Sequence, residues 1–415
     1  MSDSELRSEN KKSFLEGFLN NAENTLAPPR ESDVVIIGGG LLGTSLSYYL
    51  SKYGIETTLL ERTEINREAS GTNAGSFHFQ IALHQLTPNM SEAQKTRLTS
   101  EVKLQVEAAK LWDELENELN ADLDIHFNGG FMVAETPEEL KVLYEKDKIE
   151  REAGLESFIL TGNEMRDFAP LLAPDLAGIA FCPREGHANP LIVGPTYAFR
   201  AYQNGTKIRT GCEVLRIEAI SKTGTNTGHR FKIITNKGDI LCNRVVNAAG
   251  AWAGAISEAM GVPLPIGLAG LHVNVTEPRE YVLKSMVQHI GRRLTLKQTT
   301  NNTFIIGGGW PSRPEKYPER YSNYWSSTSG NLAIALRVLP MLHDVKLIRV
   351  WSGVWAFTND FKPIVGESKK VPGYHVAMVP TGFTLGPLVA NMLAEYIATG
   401  KNLISEEFKV DRLIK

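Results

Sequence analysis

Residues Val34, Val35, Ile36 and Ile37 form an unbroken run of β-branched apolar positions, which predicts a strand buried on both faces. A glycine cluster follows, then a helical stretch over 42–53 and a second strand over 56–60. Parallel strands need such a crossover, so this stretch is predicted as a βαβ unit. Leu98, Val102, Val106, Ala109, Trp112, Leu115 and Leu119 recur at helical spacing and predict a long helix over 96–119. Residues 125–127 and 131–133, separated by Asn128 and Gly129, predict a hairpin. Thr136, Pro137 and Glu139 stand as N-cap, first helical residue and N3 partner of another helix, which Gly154 can end. Short strands are predicted over 214–217, 231–234 and 244–247, and more between 266 and 310, before a helix near 331–342. The chain closes on a strand over 374–379, a turn at Pro380, Thr381 and Gly382, and a helix over 385–399.

Nucleotide-type segments thus stand at the start, middle and end, with strand-rich segments between them. The pattern predicts a discontinuous nucleotide domain with a second, sheet-rich domain inserted in pieces. Residues 1–30 are a polar N-terminal arm in which Phe14, Leu15, Phe18 and Leu19 predict a short helix with one apolar face. That face either tucks onto its own domain or docks a partner.

Composition narrows the function classes. The 415 residues suffice for two to three domains, and 44 basic against 47 acidic residues leave a net charge of −3. With no long run of one sign, the balance argues against an electrostatic nucleic-acid binder and a polybasic membrane anchor. The longest apolar stretch, over 34–43, is too short for a transmembrane segment, and MSDSELRSENKK lacks a hydrophobic signal core, so a cytoplasmic location is expected. Cys182, Cys212 and Cys242 have no C-x-x-C partner, and no metal site or disulfide frame is expected. Neither G-x-S-x-G nor H-E-x-x-H occurs, which removes the usual serine hydrolases and zinc proteases.

Gly38, Gly39, Gly40, Leu41, Leu42 and Gly43 fit G-x-G-x-x-G between a predicted strand and helix. The first glycine allows the tight turn, Gly40 allows close approach of a pyrophosphate, and Gly43 allows helix to pack on strand. Glu61, 18 residues past Gly43, ends the second strand, where a carboxylate can accept ribose hydroxyls. A dinucleotide site follows. A second glycine cluster, Gly307, Gly308 and Gly309, runs into Pro311 and opens no helix. The C-terminal GFTLGP turn aims another positive helix end at the site, which suits the negative charge of a reduced flavin and favours FAD over NAD.

Four blocks then resemble the D-amino-acid-oxidase-like flavoproteins, the family of glycine oxidase, D-amino-acid dehydrogenases and sarcosine oxidase. They are VVIIGGGLLG with LLER, ASGTNAGS from Ala69, VVNAAGAW from Val245, and WSGVWAFTNDFKPIVG from Trp351 followed by GFTLGP. The resemblance runs from about Asp33 to the end. It implies an α/β fold: a discontinuous Rossmann-type FAD-binding domain (31–95, 185–265 and 345–415) with an inserted α+β substrate-binding domain (96–184 and 266–344) on a mostly antiparallel sheet. It implies FAD bound by Gly38, Gly40, Leu41, Leu42, Gly43, Glu61 and Arg62, and by Ser70, Gly71, Thr72, Asn73 and Ala74 along the pyrophosphate and flavin. Val214 would meet the adenine, Gly250 the ribityl region, and Gly382, Phe383, Thr384 and Leu385 the N1 side of the flavin, with Ala249, Trp252 and Gly353 also at the cofactor.

The implied reaction is hydride transfer from a substrate C–N bond to flavin, the substrate being a D-amino acid, an N-substituted amino acid or an opine. Relatives attach flavin through a cysteine or histidine at positions that hold neither here, so non-covalent FAD is expected. Trp355 stands where glycine-oxidase-like members grip a carboxylate with arginine, and the strand at Thr303 lacks the lysine that monomeric sarcosine oxidases use to activate oxygen. Dehydrogenase and oxidase both stay open, and the β subunits of heteromeric sarcosine oxidase and the opine dehydrogenases are the nearer types. His78, His84, Lys297, Gln298, Trp310 and Trp355 are the candidate substrate-pocket residues. An alternative class is a flavoprotein serving a partner subunit as electron relay or maturation factor.

Overall fold

The strand Glu31–Ile37 carries the β-branched run, and its residues part in alternation. Val34 and Ile36 join one apolar cluster with Leu46 and Leu393, whereas Val35 and Ile37 join a second with Phe231 and Val376. Both faces are therefore covered, which is why the run has no polar interruptions. In this computed structural model, which describes residues 15–82, 85–86, 90–220, 230–316 and 320–413, that strand lies inside an eight-stranded sheet. Its parallel neighbours are Thr57–Leu60 and Gly238–Asn247. Lys207–Arg209 and Tyr374–Met378 extend the parallel order on either side, and Ile364–Glu367, Phe231–Thr235 and Val214–Ala219 add antiparallel strands. The helix Leu41–Lys52 makes the first crossover and packs between Pro190–Gln203 and Gly382–Thr399.

A ten-stranded sheet stands beside it. Its long strand Ile266–Pro278 pairs antiparallel with Leu347–Thr358 over most of its length. Among the described residues its one parallel pair is Gly130–Ala134 with Met286–His289.

Three expectations are corrected. The hairpin around Asn128 and Gly129 does not form. Gly130–Ala134 is buried at every position and lies between Met286–His289 and Gly178–Cys182, while His126 bridges His187. The two long-range neighbours occupy both strand edges and leave none for residues 125–127. Leu347–Thr358, assigned above to the nucleotide domain, belongs to the larger sheet, and the helix Glu92–Leu119 shares the apolar cluster of Val34 and Ile36. Alternation and helical spacing reveal which face of an element is apolar, not which sheet it meets. The helix expected near 331–342 spans Trp325–Val338 and stops before Pro340. Its first turn is Ser- and Thr-rich, so apolar periodicity misses it.

In the N-terminal arm residues 15–19 are helical, and the Phe18 ring is buried 5.6 Å from Phe199 and 5.4 Å from Tyr202. Phe18 thus tucks onto its own domain, whereas Leu19 of the same predicted face is exposed. Phe14 lies outside the described residues.

Candidate active site

Packing within the loop demands glycine at the two outer fingerprint positions. A Cβ on Gly38, whose φ is +112°, would come 2.6 Å from the Ala248 carbonyl oxygen, and one on Gly43 would come 2.0 Å from the Gly38 carbonyl oxygen. Gly40 differs: its φ of −74° suits any residue, and an added Cβ would meet only the Ser70 hydroxyl at 2.9 Å. The fold itself does not need glycine there, so the space above Gly40 is a cradle at the N-terminus of Leu41–Lys52. Leu41 N donates to Ser70 Oγ at 2.9 Å. Glu61 Oε2 accepts from Gly39 N at 2.8 Å and Oε1 from Thr63 N at 2.7 Å, placing the carboxylate beside the cradle. Such a cradle, with a helix end for phosphate and a carboxylate for ribose, fits the adenosine and diphosphate end of FAD.

The other predicted positions gather around this loop. The Arg62 guanidinium lies 3.8 Å from the Trp252 ring, beyond Ala249 and Gly250. Cys212 N donates to the Glu61 carbonyl, which brings Val214 alongside. Ala69–Thr72 is one short helical turn; Gly71 is pressed on the Asn66 carbonyl, and Asn73 Oδ1 accepts from Gly75 N just past Ala74. Trp351 Nε1 donates to the Thr72 carbonyl at 2.8 Å, and a Cβ on Gly353 would strike Thr72 Oγ1 at 2.1 Å. The C-terminal helix begins at Gly382, so Phe383, Thr384 and Leu385 form its first turn. Phe383 stacks on Phe77, and Thr384 is held twice: its carbonyl accepts from Trp112 Nε1, and its hydroxyl accepts from His78 N.

Next to that turn is a small cleft of ≈ 50 Å³ lined by His78, Gln80, Glu101, Trp355, Thr381 and Leu385, among others. Trp355 is fixed by its Nε1 donating to the Pro380 carbonyl at 2.8 Å and by Phe357, 4.8 Å away centroid to centroid. Burial pushes the Glu101 carboxyl up to about 7, against the pull of Lys362 and Arg97. Gln85 Nε2 donates to Glu101 Oε2, while the buried Oε1 accepts no hydrogen bond among the described residues. Glu101 was not foreseen. With Gln105 it puts two polar side chains at i and i+4 on the face that carries Leu98 and Val102, an interruption that could have flagged it.

His78 and Trp355 come together in the cleft; Lys297 and Trp310 do not line it. Trp310 Nε1 donates to the Arg293 carbonyl at 2.7 Å, and its ring packs where Gly330 leaves room on Trp325–Val338. Lys297 is 2% exposed, in a cluster with Asp124, His126 and His187. Burial drives its ammonium down to about 7, relieved only in part by Asp124, and burial with the Lys297 charge drives His187 down to about 2. Gln298 spends its carbonyl on Val282 N and Leu283 N and its amide nitrogen on three carbonyls, so it ties down a loop. His84 lies outside the described residues.

Comparison with known proteins places the chain. The family described as FAD dependent oxidoreductase matches residues 33–396, and the chain belongs to it. A subunit of opine oxidase from Rhizobium meliloti is 27% identical over 89% of this chain and 94% of its own. Human mitochondrial sarcosine dehydrogenase is 26% identical over 90% of this chain, and the regulatory subunit of mouse mitochondrial pyruvate dehydrogenase phosphatase is 28% identical over 91%. The chain spans only 40% and 42% of those two proteins. Among solved structures, L-proline dehydrogenase from P. horikoshii superposes with a TM-score of 0.81 over 93% of this chain and 98% of its own, at 24% identity. Glycine oxidase from Geobacillus kaustophilus gives 0.80 over 93% and 100%, at 22% identity. The fold is theirs: a Rossmann-type FAD-binding domain with a substrate domain. Among the described residues no helix is long and apolar enough to cross a membrane.

Proposed function

We propose that this chain oxidises the C–N bond of a small amine or amino-acid-type substrate held in the cleft between His78, Glu101 and Trp355. Relatives named for opines, sarcosine and dimethylglycine support an amine substrate. The observation that carries the reading is Glu101: its buried Oε1 accepts no hydrogen bond among the described residues and has only the Arg97 guanidinium at 3.9 Å beside it, so at the wall of a largely apolar cleft it can receive a proton from an ammonium group. FAD, bound without a covalent link along Gly40, Glu61 and the Ser70 loop, supplies the hydride acceptor. Glu101 takes a proton from the ammonium, leaving the neutral amine that hydride loss requires, and its carboxyl near 7 suits that transfer at neutral pH. Trp355, locked by Pro380, walls the substrate against the GFTLGP turn.

The test is anaerobic: yellow protein is mixed with N-methyl amino acids, opines and D-amino acids, and bleaching by a member of the panel is expected. Protein that stays yellow with all of them refutes the reading. With the substrate in hand, kcat/KM should rise with pH through about 7 as Glu101 ionises, and Glu101→Gln should remove that limb and lower kcat/KM about a hundredfold. Acid precipitation should leave all yellow colour in the supernatant.

Glu61→Ala should weaken FAD by about 1.5–3 kcal/mol, the value of a hydrogen bond to a charged group. Flavin titration of apoprotein checks it, and an unchanged dissociation constant removes Glu61 from the site.

A second reading, that the chain works within a larger assembly, is favoured by its coverage of 94% of the opine oxidase subunit. Reoxidation of reduced flavin that becomes fast only with a co-purifying chain supports it; equal rates without that chain count against it.

A further inference from the structure

A buried polar chain runs from the cleft into the core, and its donors and acceptors decide which nitrogen of His78 carries hydrogen. Lys146, fully buried, donates from Nζ to Gln80 Oε1 at 2.7 Å and to Glu150 Oε2 at 2.8 Å. An ammonium only donates, so Gln80 turns its oxygen to Lys146 and its Nε2 to Glu185 Oε2, 2.7 Å away. Glu185 also accepts from Phe79 N at 3.2 Å and Gln80 N at 3.0 Å. Gln288 Nε2 stands 3.1 and 2.9 Å from the two Glu185 oxygens, and Gln288 Oε1 stands 3.0 Å from His78 Nδ1. Burial raises the Glu185 carboxyl to about 7, opposed by the hydrogen bonds from Gln80 and by Lys146; in its ionised form, surrounded by donors, it orders the Gln288 amide: nitrogen towards Glu185, oxygen towards His78. A carbonyl oxygen only accepts, so the hydrogen between Gln288 and His78 sits on Nδ1. Gly130 leaves room for this arrangement, since a Cβ there would come 2.1 Å from Glu185 Oε2.

We propose that Glu185, set behind the cleft, is a positioning residue that acts through Gln288 to hold His78 in the Nδ1–H tautomer, with the lone pair on Nε2. The proposal rests on the reading of the cleft as an amine site. In that tautomer Nε2 can act only as an acceptor, never as a donor, towards a group that faces it. The orienting chain lies wholly inside the protein, so the tautomer is set before substrate binds.

The experiment is ring-nitrogen NMR of the full-length flavoprotein carrying ¹⁵N-histidine, with the His78 signals identified by their loss in His78→Asn. Wild-type His78 is expected to carry hydrogen on Nδ1 and none on Nε2. Gln288→Leu, close in size but without the acceptor, should show both tautomers while keeping its flavin, and should lower kcat/KM about tenfold. Glu185→Gln should do the same; if it does not fold, Gln288→Leu decides alone. An Nε2–H wild type, or an unchanged tautomer in Gln288→Leu, overturns the proposal. The spectra need no substrate, so a protein that stays yellow with every amine refutes the cleft reading separately, while the tautomer lock is judged on the spectra.

Discussion

Gly40→Val should purify as a folded, colourless protein. The backbone at Gly40 has φ −74°, which valine adopts without strain, and the new Cβ meets only the end of the Ser70 side chain, which can rotate away. Folding should therefore survive. The isopropyl group would instead fill the cradle at the start of Leu41–Lys52, where the pyrophosphate must approach the backbone. Forcing a branched side chain into so close a contact costs about 3 kcal/mol or more, at least a hundredfold in the flavin dissociation constant. The measurement is the ratio of flavin to protein absorbance, with far-ultraviolet circular dichroism to confirm folding. Gly43→Val is the contrasting variant. Its Cβ would collide with the Gly38 carbonyl at 2.0 Å, so it should lose both fold and flavin. A folded Gly40→Val protein with stoichiometric flavin would remove the fingerprint from the cofactor site.

That contrast shows how far the sequence could be read. The glycine loop, the β-branched strand and the capped helix Pro137–Glu152 are local patterns, each decided within a few residues, and they stand where they were expected. Long-range pairing left no such trace. Gly130–Ala134 reads equally well as half of a hairpin or as an inner strand, and only its two distant neighbours settle it. The same holds for side chains. Lys297 on a strand looks like an exposed cation reaching for a substrate carboxylate, yet the sheet turns it inward. Glu101 looks like one more solvated position of a charged helix, yet it lines the cleft. Glu185 and Gln288 are 103 residues apart and carry no motif, so only the fold reveals that they meet and that Gln288 reaches His78.

Lys297→Met should stabilise the protein, and the gain should depend on pH in a direction fixed by the depressed proton affinity of the lysine. The ammonium is buried and falls from its ordinary 10.5 to about 7 in the folded state. Between those values the unfolded chain binds a proton that the folded chain does not, so wild-type stability rises as pH increases from about 7 to 10.5. Below about 7 both states are charged, and the fold bears the full cost of a buried ammonium. At about 1.4 kcal/mol for each tenfold loss of proton affinity, that cost is on the order of 4–5 kcal/mol, partly recoverable by a methionine of similar length. Lys297→Met should therefore unfold at clearly higher denaturant than wild type at pH 6, by about 2–4 kcal/mol, and the two should converge towards pH 10. Urea titrations of both proteins at the two pH values, with saturating flavin, measure the difference. If Lys297 gripped a substrate carboxylate instead, Lys297→Met would raise KM for carboxylate substrates and leave the pH 6 stability unchanged. The burial of its ammonium beside His187, away from Trp355 and His78, favours the stability outcome.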